Sequence, residues 1–239
     1  MTMKLLDTSN SNTKVRKTEK LADAVRIASL SLMPDPIICA QSGAAKCFDL
    51  CLKTSGYGKF DNVAQGRQRK ADYWHNDRAG FLDQLTTELR NFETLCTRTD
   101  VRPVVRLNVL SDIQWERQGI PQAFPTISFY DYTKQAQRIG KTPDNYRLMF
   151  SYSGAAKYRP QVQRALTTDA PISVVFTELP TDPNYRFLGR PVIDGDRSDL
   201  INLEAGPVIV GLKYKRTKAD ATMVQQSDFV INPNLIATA

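Results

Sequence analysis

Short apolar runs recur through the second half of the chain at intervals of roughly twenty residues, and this rhythm limits the fold more than any other feature. The runs are Val104-Val105-Arg106-Leu107, Ile127-Ser128-Phe129-Tyr130, Leu148-Met149-Phe150, Ile172-Ser173-Val174-Val175-Phe176 and Val208-Ile209-Val210-Gly211-Leu212. Runs of this length, β-branched and aromatic and bounded by Pro103, Pro125, Pro171 and Pro207, read as buried strands. A proline where a strand begins costs no ladder hydrogen bond. An earlier strand is expected at Ile37-Ile38, after Pro34 and Pro36 interrupt the segment that begins at Ala22. Helical stretches fall between the strands. Phe81, Leu82, Leu85, Leu89, Phe92 and Leu95 keep to one face of a long helix with Asn76 as its N-cap, and Gln161 to Leu166 reads as a short helix. Such alternation implies an α/β fold with a mostly parallel sheet of about six strands, either open and doubly wound or an incomplete barrel. Phe187 to Asp194 reads as an added strand or hairpin, and the tail from Gln225 as a strap over the surface.

With 239 residues, 41% of them hydrophobic and 24% charged, the chain can bury one core, and residues 21–239 are expected to form a single domain. Residues 1–20, with Lys14, Arg16, Lys17 and Lys20 among Ser, Thr and Asn, read as a flexible basic arm. No stretch approaches the ~20 apolar residues of a membrane helix, and the first residues lack the apolar centre of a signal peptide. The protein is therefore expected to stay in the compartment where it is made. Four cysteines, three of them clustered, do not suit a secreted disulfide framework and favour metal or thiol chemistry in a reducing compartment. A net charge of +7 favours polyanionic partners, nucleic acid or nucleotides among them.

In α/β sheets functional groups gather on the loops that follow the carboxyl ends of the strands. Cys39, Cys47 and Cys51 follow the expected first strand, with Cys47 and Cys51 at a spacing that puts both sulfurs on one helix face. Three thiolates there can hold zinc with Cys96 or His75 as the fourth ligand, or three irons of an iron-sulfur cluster; buried structural thiols are the alternative. Gly56 and Gly58 with Lys59, followed by Arg67, Arg69 and Lys70, suit a phosphate, although the arginines can equally form a solvated helix face. After the next strand, Asn108 and Ser111 are candidate cofactor contacts, and Asp112 and Glu116 a candidate acid-base pair. Ser111 or Asp112 as a helix cap is the plainer reading. Asp131, Tyr132, Thr133 and Lys134 follow the third strand, and Ser151 to Gly154 the fourth. Asp194-Gly195-Asp196 reads as a tight turn rather than a calcium loop, and Lys213, Lys215, Arg216 and Lys218 form a basic cluster after the last strand. The single His75 supports no serine-histidine-acid triad.

The series Cys47-x3-Cys51-Leu52, Thr54-Ser55-Gly56-Tyr57-Gly58, Arg106-Leu107-Asn108, Ser111-Asp112-Ile113, Trp115-Glu116 and Phe129 through Lys134 resembles the bacteriophage family called gene product 88, and Val192 through Asp196 and Val208 through Lys213 fit it too. That resemblance implies a phage-encoded protein working in the host cytoplasm and assigns no activity. A more distant similarity, to radical S-adenosylmethionine enzymes, implies a partial barrel carrying three cysteines after its first strand, with S-adenosylmethionine as cofactor. The spacing here departs from that family's, because seven residues separate Cys39 from Cys47 and three separate Cys47 from Cys51. The resulting expectation is a metal-binding partial barrel that acts as an enzyme on nucleic acid or nucleotides, with Asp112, Glu116, Asp131 and Tyr132 at its mouth. The alternative is a non-catalytic factor that binds nucleic acid or a host protein.

Overall fold

A computed structural model of the protein describes residues 3–8, 19, 24–217, 219 and 221–235. Each proline-bounded run is a strand: β2 (Arg102–Arg106), β3 (Ser128–Thr133), β4 (Tyr146–Ser151), β5 (Ile172–Phe176) and β8 (Ile209–Lys213). β1 (Val25–Ser29) precedes them. The strand expected at Ile37-Ile38 is instead a turn, in which the Asp35 carboxylate accepts from both backbone N–H groups at 2.7 and 3.1 Å. Phe187 to Asp194 is a hairpin, β6 (Arg186–Phe187) and β7 (Arg190–Asp194), whose Leu188-Gly189 turn has φ of 53° and 74°. Two positive φ angles match the twist of paired strands.

Among the described residues the sheet has nine strands, eight in the order β1-β2-β3-β4-β5-β8-β7-β6 and a ninth off this path beside β5, all parallel except the β6–β7 pair. It is mixed α/β and open, with β1 at one edge, so a partial barrel is not established by its closure. The tail is not merely a strap. β9 (Val230–Ile231) pairs in parallel with β5 at Val175 and Phe176, beyond the point where β4 leaves β5, and Val230 is buried.

Among the described residues two long helices lie between β1 and β2: α1 (Asp61–Asn76) and α2 (Arg78–Arg98). Asn76 ends α1 rather than capping α2; Asp77 is the cap, accepting from Gly80 N at 2.9 Å. Phe81, Leu85, Leu89, Phe92 and Cys96 of α2 are buried with Ala28, Val105, Leu107 and Phe129 of the sheet, each large side chain worth roughly 1.5–3 kcal/mol. Leu95 is exposed. α3 (Ile120–Ala123) precedes β3, α4 (Arg159–Leu166) packs with Phe150 and Ile172 on the same face, and α5 (Ile201–Glu204) and α6 (Ala221–Gln225) follow β7 and β8.

Residues 3–8 are part of this body, which shortens the expected arm. Leu5 and Leu6 are buried, their N–H groups donate to the Glu88 carboxylate, and Asp7 bridges Ser29. Lys14, Arg16, Lys17, Lys20 and Lys218 lie outside the described residues.

Candidate functional site

Register sets the inner face of the sheet. The pairings Ser29↔Arg106, Tyr132↔Met149, Ser151↔Ser173 and Val175↔Leu212 put Ser29, Arg106, Tyr132, Ser151, Ser173, Val175 and Leu212 on the face away from α2 and α4. Towards the amino ends this face is filled by Ile27, Val104 and Tyr130 with Leu203 of α5. Towards the carboxyl ends it opens into a cavity of about 940 Å³. The expectation that function gathers at this end therefore has a concrete address.

The cysteine segment roofs the cavity. It is pinned to the loop after β2 by Asp112 N donating to Ile38 O (2.8 Å) and Cys39 Sγ donating to Leu110 O (3.4 Å). Towards β4 it is held by Ser153 Oγ donating to Ala45 O (2.7 Å), and by the Lys46–Asp228 ion pair (2.8 Å). Cys47 and Cys51 stand on successive turns before a 3-10 turn (Leu52–Thr54), not on one helix. Cys39, Cys47 and Cys51 all line the cavity, whereas Cys96 is buried in the core of α2 and does not reach it. His75 pairs with Asp35 at 2.8 Å. Among the described residues no group of three or more His, Cys, Asp or Glu side chains can hold a metal ion. Neither fourth ligand joins the three thiols. Burial raises the Cys39 and Cys51 thiols above their ordinary range, and for Cys39 the charge of Asp112 adds to the effect.

The loop after β2 is organised by Asn108. Its Oδ1 accepts from Ser111 Oγ, Ile113 N and Trp115 Nε1 at 2.8 to 3.1 Å, its Nδ2 donates to Ile113 O, and its backbone N donates to Asp131 Oδ1. Asn108 and Ser111 thus shape the cavity wall. Asp112 and Glu116 share Arg138: Nη1 lies 2.5 Å from Asp112 Oδ1, and Nε lies 2.9 Å from Glu116 Oε1. Burial opposes the Arg138 charge, but the Glu116 hydrogen bonds and the charges around it raise its pKa further. The candidate acid-base pair thus meets on one buried arginine, with Asp112 also lining the cavity. Asp131 does not line the cavity; it accepts from Asn108 N (2.7 Å) and Tyr146 Oη (2.9 Å), and burial pushes its carboxyl up to about 7. Tyr132 does line it.

Gly58, Arg67 and Lys70 lie along the cavity beside α1. A side chain at Gly58 would meet Lys53 O at 2.3 Å and Arg67 Nη1 at 2.7 Å, so only glycine lets Arg67 donate to Lys53 O. Gly56, Lys213 and Lys215 also line the cavity, whereas Lys59, Arg69 and Arg216 are exposed outside it.

The family described as Gene product 88 matches the chain over residues 3–227. The chain belongs to the gene product 88 family. That match is the bacteriophage family expected from the residues, and it takes in every wall of the cavity as far as β8. No curated protein and no solved structure matches the chain. Similarity to radical S-adenosylmethionine enzymes is not shown. Among the described residues no helix is long and apolar enough to cross a membrane.

Of two further cations that line the cavity in this member of the gene product 88 family, Lys134 was named from the sequence among the groups after the third strand, whereas Arg106 was not singled out as a site residue. Arg106, at the carboxyl end of β2, lines the cavity with its guanidinium 4.8 Å from the Tyr132 ring centre and its Nε buried without a hydrogen-bond partner among the described residues. Lys134 donates to Ser151 O, Ser151 Oγ and Tyr152 O at 2.9 to 3.3 Å and stands over the Phe229 ring. Burial lowers its pKa, and the nearby Cys47, Asp112, Cys39 and Cys51 work against that drop.

Proposed function

We propose that the cavity binds a phosphate-bearing substrate, a nucleotide or the end of a nucleic-acid strand, and that the protein is a phage enzyme acting on it in the host cytoplasm. The observation that carries this reading is the wall itself. Arg67, Lys70, Arg106, Lys134, Lys213 and Lys215 surround one concave space, with Phe48, Tyr57, Tyr132 and Tyr214 offering flat surfaces. Cations attract phosphate and aromatic faces accept bases, a combination that single-stranded nucleic acids and nucleotides use. A cavity of this volume suits a small ligand. The sequential order of parallel strands from β1 to β5 supports a barrel-like curvature around it.

For the chemistry, Lys134 and the thiols of Cys39 and Cys51 carry transferable protons in a desolvated place, the setting in which acid-base groups are tuned. An iron-sulfur or zinc centre does not fit the thiols as they stand, because among the described residues they form no ligand set with a further donor.

A non-catalytic nucleic-acid-binding factor would instead use the exposed Lys59, Arg69 and Arg216. Equilibrium dialysis with nucleoside diphosphates and short single-stranded oligonucleotides separates the two. Retention that weakens as salt rises, and that falls with Lys70→Met but not Arg69→Met, supports the cavity. No retention, or loss only with Arg69→Met, would overturn it.

A further inference from the structure

Of the cations in the cavity, Arg106 has the most unusual surroundings. Its inner neighbours are the phenols of Tyr130 and Tyr132 and the carboxylates of Asp199 and Asp131; burial works against its charge, and these four outweigh it. The guanidinium is therefore a fixed cation. One of its faces is covered by Tyr132, and Nε finds no acceptor among the described residues. What remains for a ligand is the in-plane edge, which matches two adjacent acceptors on a flat group.

A phosphate is the poorer occupant of this edge. It would bring further negative charge towards Asp199, which lines the same cavity and already accepts from Tyr130 Oη at 3.1 Å. The cations beside α1 are better placed for it: among the described residues the hydrogen bonds of Arg67 and Lys70 go to backbone carbonyls, Lys53 O and Leu5 O, and two cations stand together there against the charges of Asp7 and Glu88 near Lys70. A neutral acceptor pair meets neither objection. Building on the nucleotide reading above, we infer that Arg106, backed by Tyr132, reads the O6 and N7 edge of a guanine base, while the ligand's phosphates lie towards Arg67 and Lys70. Arginine bidentate to O6 and N7 is the commonest specific contact with guanine, whereas adenine presents a donor where guanine has O6.

Isothermal titration of the full chain with GDP, ADP, 7-deaza-GDP and inorganic pyrophosphate tests this. GDP is expected to bind at least ~10-fold tighter than ADP, the scale of one bidentate base contact. Removing N7 in 7-deaza-GDP should erase most of that margin on the unaltered protein, which needs no variant to fold. Arg106→Lys keeps the charge but not the fork, and should also lose the guanine preference. If GDP, ADP and pyrophosphate all bind and GDP shows no advantage, the base reading is overturned and the anionic cavity stands. A preference unchanged by 7-deaza-GDP or by Arg106→Lys likewise overturns it. Failure of all four ligands to bind overturns the nucleotide reading itself.

Discussion

Arg138 ties the loop after β2 to the segment after β3 by gripping Asp112 through Nη1 at 2.5 Å and Glu116 through Nε and Nη2, each at 2.9 Å. The arginine is almost wholly buried, so the clamp is a structural joint beneath the cavity wall. Removing one partner from a buried charge cluster leaves the others uncompensated. Arg138→Met is expected to cost about 3–5 kcal/mol in urea unfolding, and adding Asp112→Asn and Glu116→Gln should recover part of the loss. A loss below about 1 kcal/mol would contradict the joint.

Asp131 gives the fold a pH dependence of unusual sign. Burial raises its carboxyl from the usual value near 3.8 to about 7, outweighing the bonds from Asn108 N and Tyr146 Oη. Below pH ~4 the group is protonated both folded and unfolded; between the two values the folded state holds more protons. Its contribution to stability is therefore full at low pH and lost as pH rises through about 7. The unaltered protein should lose roughly 1–3 kcal/mol of unfolding free energy in urea between pH 5 and pH 8 through this group, and Asp131→Asn should remove that loss. Parallel profiles would show that Asp131 stays ionised.

Thiol reactivity should divide the cysteines. Because burial holds Cys39 and Cys51 protonated, a thiol-exchange reagent at neutral pH should modify them at least ~10-fold more slowly than free cysteine. Cys96, with no exposed surface, should react only on unfolding. Mass spectrometry of partly modified protein assigns the order, and rapid modification of Cys39 would contradict the raised pKa of its thiol.

Gly58→Ala tests how Arg67 is placed. The new methyl would lie 2.3 Å from Lys53 O, a backbone atom that cannot easily yield. Stability should fall by about 1–3 kcal/mol in thermal or urea unfolding, with weaker pyrophosphate binding from the displaced Arg67. An unchanged protein would mean that the turn opens at little cost.

Much of the sheet was legible because β-branched and aromatic runs bounded by proline have few other uses. β1 was not: VRIAS is short and carries Arg26, while the more apolar Ile37-Ile38 is bent into a turn by Asp35 and leaves Ile37 exposed. The carboxyl-end rule located the cavity, and Cys39, Cys47, Cys51, Tyr132, Arg67 and Lys70 all line it. Spacing could not show that Asp112 and Glu116 meet Arg138, because that partner arrives from a distant turn. Arg106 was hidden inside an apolar strand run. The signal was present in the alternation, which puts a charged side chain at position 106 on the same face as Val104, pointing inward.

Hydrogen–deuterium exchange with and without a nucleoside diphosphate tests the central claim most directly, because it locates the ligand without assuming a reaction. Slower exchange is expected around 39–51, 106–112, 132–134 and 211–215, the segments that wall the cavity, with no change at 120–127 and 142–146 near the amino ends of β3 and β4. Protection confined to the amino ends, or none at saturating ligand, would contradict a nucleotide site at the carboxyl end of this sheet.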